Sequence, residues 1–286
     1  MQNKIFSLLC ENHIDLYGCL PLSSCRITRK YLLDKVGIAE GSVVIFAIPY
    51  YTEACDLPRN LSAYAVPRDY HLFVREMATR LEERLRNEFP SNRFAIFADH
   101  SPIDERDAAV RAGLGVIGKN GLLLTEKYSS YVFLGELITD APLPYREFPL
   151  TFCRDCGTCV AACPWKRGES EICLSALTQK KGELSKNEQG LLTRYGCVWG
   201  CDICQEVCPY TKKAKKAGTL YTTIPFFQQN DLPFITSSII DSMEEKDFAS
   251  RAYSWRGRET ILRNLTMAED ADDPEREDPI LKKATE

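Results

Sequence analysis

Nine of the thirteen cysteines lie between residues 153 and 208. The first run, CRDCGTCVAACP (153–164), spaces them C-x2-C-x2-C-x3-C before a proline, and the second, CDICQEVCP (201–209), reads C-x2-C-x3-C-P. Thiolates at that density suit a soft, electron-rich centre, and in two-cluster ferredoxins the fourth cysteine of each run ligates the other cluster. By that rule Cys153, Cys156, Cys159 and Cys208 hold one 4Fe–4S cluster, while Cys163, Cys201 and Cys204 hold most of a second. The regular pattern would put the missing ligand where the chain has Val198. Cys197, one residue out of register, and Cys173, in EICLSALT, are both candidates. A one-residue slip turns a thiolate away from a tightly wrapped cluster, which favours Cys173 and leaves Cys197 as a small buried neighbour. The competing readings are a four-thiolate zinc ribbon and disulfides. A third cysteine in the first run and the Cys-Pro ending of both fit zinc poorly. Paired clusters imply that electrons pass through the protein.

Two other stretches carry candidate chemistry. Asp99, in ADHSPIDER (98–106), ends an apolar strand. A carboxyl group at the mouth of a sheet, among apolar residues, is expected to have a raised pKa and to donate a proton. Asp104 is the better placed cap for the helix that follows. GLGVIGKN (113–120) matches G-x-G-x-x-G and nearly matches a phosphate loop, but both motifs need a strand before the turn and a helix after it. Here a helix precedes and the strand GLLL follows, so the turn reads as helix-to-strand, or as bare backbone lying against a large flat ligand. His71, at the start of a helix, reads by default as a satisfied surface or core histidine.

These residues need elements to position them. SVVIFAIPYY (42–51) and RFAIFAD (93–99) read as buried strands, 69–89 as an amphipathic helix, 104–112 as a short helix, and 121–139 as two strands joined by a polar turn. This is an α/β or α+β domain over 1–150. A cysteine-rich domain with little core follows over 151–218, which clusters would staple. Residues 219–286 hold a helix over 250–270 and an acidic tail expected to be disordered. The 286 residues are 44% hydrophobic and 27% charged with net charge −4, a globular composition that excludes a uniformly basic nucleic-acid binder. No secretory or membrane-spanning apolar run is present, so a cytoplasmic location is expected. KKAKK (212–216) reads equally as a phosphate-meeting patch and as a solvated loop.

Taken in order, YAVPRDYH (64–71), ADHSPIDERDAAVRAGLGVIGKNGLLL (98–124), FLGELITD (133–140) and the cysteine runs resemble the cobalamin-dependent epoxyqueuosine reductases, over residues 40–268. The likeness extends more distantly to reductive dehalogenases. The resemblance implies an α+β protein: a nitroreductase-like, cobalamin-binding α/β domain followed by a ferredoxin-like domain with two 4Fe–4S clusters. It implies removal of the epoxide oxygen of epoxyqueuosine in tRNA, with a reduced flavodoxin or ferredoxin as electron donor and no membrane partner. By the same likeness Asp99 is the proton donor, Gly113, Gly115, Lys119, Leu124 and Gly135 lie against the corrin, and Cys173 completes the second cluster. The family's segment RxRxxxxRN, here in SWRGRETILRN (254–264), normally leads into helical repeats that help hold tRNA, and here an acidic tail follows. Asp104 also stands where the family usually has an apolar residue. Two alternatives follow: a cobalamin-dependent reductase of a small molecule, and a two-cluster electron carrier without cobalamin.

Overall fold

The computed structural model describes residues 1–269; the acidic tail lies outside them, apart from Glu269. Helix α1 (Gln2–Glu11) leads into strand β1 (Leu16–Pro21), helix α2 (Lys30–Val36) and strand β2 (Ser42–Pro49). Helix α3 (Tyr70–Glu88) precedes β3 (Phe94–Phe97), and α4 (Glu105–Arg111) precedes the glycine turn. Strands β4 (Val116–Ile117), β5 (Leu123–Leu124) and β6 (Val132–Thr139) follow. The main sheet has the order β1-β2-β6-β3 and is antiparallel at every pairing. The fold is therefore α+β, and the parallel α/β alternative is wrong for the sheet.

The reason lies in β2. An unbroken apolar run suggests a parallel strand because such sheets are covered on both faces. Here an antiparallel sheet is covered on both faces. Val44, Phe46 and Ile48 enter one core with Phe73, Met77, Leu81 and Leu85 of α3. Val43, Ile45 and Ala47 point the other way, towards Leu33, Ala108, Ala109 and Val110, as the two-residue repeat of a strand requires. The expected strand pair within 121–139 is not a hairpin: β5 pairs with β4, and β6 sits in the main sheet.

The cysteine-rich region consists of short helices: α5 (Thr158–Ala162), α6 (Leu174–Thr178), α7 (Lys186–Tyr195), α8 (Ile203–Glu206) and α9 (Pro209–Lys216). Its own buried cluster is small: Leu174, Leu177, Leu184, Leu191, Leu192 and Ile203. KKAKK belongs to α9 and is not a loop; Lys213 pairs with Glu126 at 2.7 Å and Lys215 with Asp56. Helices α10 (Ser237–Ser242), α11 (Glu245–Ala249) and α12 (Arg258–Glu269) complete the described residues. The expected helix over 250–270 starts only at Arg258, after Gly257 at φ 84°. This segment folds back on the first core, placing Phe227, Ile240, Tyr253 and Leu265 there. Asn264 donates to the carbonyls of Thr178 and Val198 at 2.8 Å, and Arg263 to that of Lys180. Arg258, Arg263 and Asn264 of SWRGRETILRN thus brace backbone, while Arg256 lies over the Trp255 ring. No described helix is long and apolar enough to cross a membrane.

Candidate active site

The thiols fall into two sets. Cys153, Cys156, Cys159 and Cys208 line one small cavity together with Lys119, Asn120, Leu124 and Tyr210. Burial, and then the neighbouring thiols of Cys208, Cys153 and Cys156, push the Cys159 thiol up. In the second set, Cys204 has Cys201, Cys163 and Cys173 as charge neighbours, with burial the largest cause of a pKa pushed up to about 12. Cys173 in turn feels Cys201 and Cys163. Cys197 is the hydrogen-bonding neighbour of Cys201, and its thiol also faces the Tyr195 carbonyl at 3.5 Å.

Short helices supply polar groups to these sulfurs. Cys173 is the N-cap of α6, whose Ser175 and Ala176 N–H groups point at the thiol. Cys208 is the N-cap of α9 and is followed by Pro209, which has no N–H to leave unpaired. Cys156 meets Thr158 Oγ1 at 3.3 Å. Helix N-termini favour a thiolate over a thiol. Asn120 Nδ2 is buried with no oxygen or nitrogen partner, and its amide is directed at Cys204. Among the described residues no three His, Cys, Asp or Glu side chains converge on a single ion. The first set walls a cavity instead, the arrangement that suits a centre with an inorganic core of its own.

A cleft of ≈ 610 Å³ adjoins that cavity and shares Leu124, Arg154, Pro209 and Tyr210 with it. Gly113 and Gly115 line the cleft with Phe148, Thr151 and Lys213. A Cβ on Gly115 would stand 2.3 Å from the Leu124 carbonyl oxygen, so only glycine lets the two segments approach. Lys119 lies in the neighbouring thiol cavity and pairs with Asp155 at 2.6 Å. Gly135 is elsewhere, in β6 against Phe46, where a Cβ would meet the ring at 2.6 Å. The structure therefore brings Gly113, Gly115 and Leu124 to one cleft, Lys119 beside it, and leaves Gly135 within the sheet.

Asp99 ends the strand as expected, but not in the expected environment. Its side chain is 72% exposed and its φ is 63°, a left-handed conformation uncommon outside glycine, asparagine and aspartate. Its N–H donates to Glu105 Oε1 at 3.2 Å. His71 Nε2 stands 3.8 Å from Asp99 Oδ2, while His71 Nδ1 bonds Asp69 Oδ1 at 2.7 Å. His71 holds the Asp99 carboxyl below the usual carboxylate range, overcoming its partial burial. The expected raised pKa is thus corrected: apolar neighbours in sequence do not enclose this carboxyl, and a cation faces it. Asp104 caps α4, accepting from Asp107 N–H at 3.2 Å, and pairs with Arg26.

Burial raises four described carboxyls, Glu105, Glu136, Glu206 and Asp231, none of them found by sequence reasoning, and the first two back the Asp99 turn. Glu136, fully buried in β6, has both oxygens without a partner. Burial, then Glu105, pushes it well above the ordinary glutamate range. Burial raises Glu105 itself to about 7. The only signal for Glu136 was a single acid inside the apolar run FLGELIT.

Comparison with known proteins decides the family. An epoxyqueuosine reductase from Leadbetterella byssophila is 32% identical over 235 residues, which cover 77% of this chain and 76% of that protein. The chain belongs to the epoxyqueuosine reductase family. The family model described as "Epoxyqueuosine reductase QueG, DUF1730" matches residues 35–100, the stretch that holds β2, α3, His71 and Asp99. The epoxyqueuosine reductase of Bacillus subtilis is 31% identical over 85% of this chain, and the chain spans 65% of that relative's length. A crystal structure of an epoxyqueuosine reductase with an epoxyqueuosine-modified tRNA-Tyr stem loop superposes with a TM-score of 0.75 at 24% identity, over 94% of this chain and 81% of that one. The family is one of oxidoreductases, and the shared α+β fold covers both the sheet and the cysteine-rich region.

Proposed function

We propose that the chain is an iron–sulfur and cobalamin-dependent reductase that converts epoxyqueuosine to queuosine in tRNA. The observation that carries this is a four-thiol cavity that adjoins a cleft lined by the glycine turn, in a chain of the reductase family that also holds a second group of thiols. Cys153, Cys156, Cys159 and Cys208 would hold one 4Fe–4S cluster and Cys163, Cys173, Cys201 and Cys204 the other. When bound, the clusters and cobalamin supply the reducing electrons, delivered from a reduced flavodoxin or ferredoxin. Asn120 Nδ2, otherwise unpaired, would donate to a cluster thiolate, a contact that tunes the cluster's potential. Gly113, Gly115, Lys119, Leu124 and Gly135 are the proposed corrin contacts, and Gly113, Gly115 and Leu124 fit best because they share one cleft. The tRNA reading rests on the related structure that holds a tRNA stem loop.

The chain's own work is to position, to exclude alternatives and to move protons. The left-handed turn, pinned through Glu105, presents the Asp99 carboxyl outward at the strand end. There it protonates the departing epoxide oxygen, and a fixed carboxyl of this kind accelerates such a step by about 10²–10⁴-fold.

The test is anaerobic reconstitution followed by metal analysis and EPR with cob(II)alamin. About eight irons per chain and a cobalt signal without a nitrogen axial ligand are expected. Full iron with no cobalamin bound would leave an electron carrier and contradict the reductase.

A further inference from the structure

Epoxide reduction leaves a proton source unaccounted for, and the inference below rests on that reaction. Two C–O bonds break, a carbon–carbon π bond forms, and the oxygen leaves as water, so two electrons and two protons are consumed. Asp99 is held as a carboxylate and carries no proton at neutral pH. Something beside it must carry one.

We propose that His71, oriented by Asp69, is the proton supply of Asp99. The geometry gives each group one task. Asp69 caps α3, accepting the His71 backbone N–H at 3.0 Å, and the same oxygen takes the ring Nδ1–H at 2.7 Å. Both contacts fix the ring, so that Nε2–H faces Asp99 Oδ2 at 3.8 Å. That is an ion-pair distance and too long for a hydrogen bond; the exposed Asp99 side chain closes it by turning, or one water bridges it. The His71 proton moves from Nε2 to Oδ2 and Asp99 passes it to the departing oxygen. The half-exposed ring then takes a proton from water, and the second proton follows the same route. His71 acts through Asp99 and is a positioning residue, not a catalytic one.

The surroundings favour a charged ring. Asp69, then Asp99, raises His71 to about 9 against partial burial. The Tyr70 ring leans against it at 38° with centroids 4.1 Å apart, and Arg75, Glu82 and His100 share its shallow cleft. Around Asp99 the other charged or titratable groups are Arg29, the Tyr70 hydroxyl, His100, which bonds Tyr31 Oη at 2.6 Å, and Glu105, backed by Glu136.

The test compares the reconstituted holoenzyme with His71→Gln and Asp69→Asn, each checked for full iron content. Ring NMR follows the titration of His71, and pH profiles of kcat follow turnover. The wild type should titrate His71 near 9, and Asp69→Asn should bring it towards the ordinary 6.5. In His71→Gln, kcat at pH 7.5 should fall at least about tenfold at unchanged KM. Its activity should recover as pH drops towards the carboxylate range, because Asp99 then takes its proton from water. An unchanged pH profile in His71→Gln, or a His71 that titrates at 6.5 in the wild type, would overturn the proposal. A wild type that binds both cofactors but does not reduce epoxyqueuosine would overturn the reaction instead, and the ring titration, which needs no turnover, would still show whether His71 carries the proton.

Discussion

The two halves of the site are built on opposite principles. The thiol sets sit among short helices over six buried apolar residues, so the region has little core of its own. The acid turn rises from a sheet sandwiched between two apolar cores, yet its working groups are exposed and held by charge. On the proposed function the first half gains order from the clusters it binds, whereas the second is ordered by its own cores and presents a few groups to solvent. Binding free energy is folding free energy where ligands are not preorganised without metal, so the two halves should respond differently to the same insults.

Removing a cluster ligand should break the comparison most visibly. Cys159→Ser should cut the iron count by about half, from about eight per chain, and abolish reduction, while the 42–49 strand keeps its slow amide exchange. Equal loss of exchange protection in both halves would show that they are one cooperative unit.

The next effect lies at the seam. Asp202, between Cys201 and Cys204, accepts from Ser62 Oγ and Ala63 N–H at 2.6 Å, Gln205 Nε2 at 2.7 Å and Arg59 at 3.1 Å. It therefore ties the cysteine region to the loop before α3. Asp202→Ala leaves Arg59 paired with Glu206 and the Cys55 carbonyl but strands the Ser62 hydroxyl and the Ala63 N–H, and should lower stability by at least about 2 kcal/mol, read from denaturant midpoints. A change under about 1 kcal/mol would mean the seam is held by the backbone bridge of Leu61 with Trp199 instead.

Glu136 gives a smaller, pH-dependent effect confined to the sheet half. Its folded pKa lies above the unfolded one, so the native state binds the extra proton and stability falls as pH rises above about 4.5. The wild type should therefore melt at higher temperature at pH 6 than at pH 8. Glu136→Gln should flatten that slope and gain about 1–3 kcal/mol at pH 8, some 2–4 °C per kcal/mol for a chain of this size. A slope unchanged in Glu136→Gln would place the titration in Glu105 alone.

The same contrast explains what the sequence made legible. Cysteine spacing is local, so two thiol groups could be written from residue numbers, and the structure sets both Cys173 and Cys197 beside Cys201 in the second. The helix over 69–89 and the strand over 42–51 were readable from their apolar periodicity. The direction of that strand's neighbours was not, because burial on both faces looks alike in parallel and antiparallel sheets. Nor was the state of Asp99 readable. Its pKa is set by His71, which lies 28 positions earlier at the start of a helix and meets it only after α3 packs on the sheet. Composition near a residue in sequence predicts its neighbours in space poorly when the residue ends a strand. Glu136 was hidden for the complementary reason: one acid in an apolar strand carries no periodic signal.

The account's central claim is that the thiol half delivers electrons to a reaction that the acid half completes. The most direct test is reduction of epoxyqueuosine in a tRNA anticodon stem loop by the reconstituted wild type and by Asp99→Asn, with iron and cobalamin measured on the same samples. The account predicts queuosine from the wild type and at least about a hundredfold loss in the variant, with both cofactors fully retained. Equal turnover in the two proteins, or none in a fully loaded wild type, would contradict it.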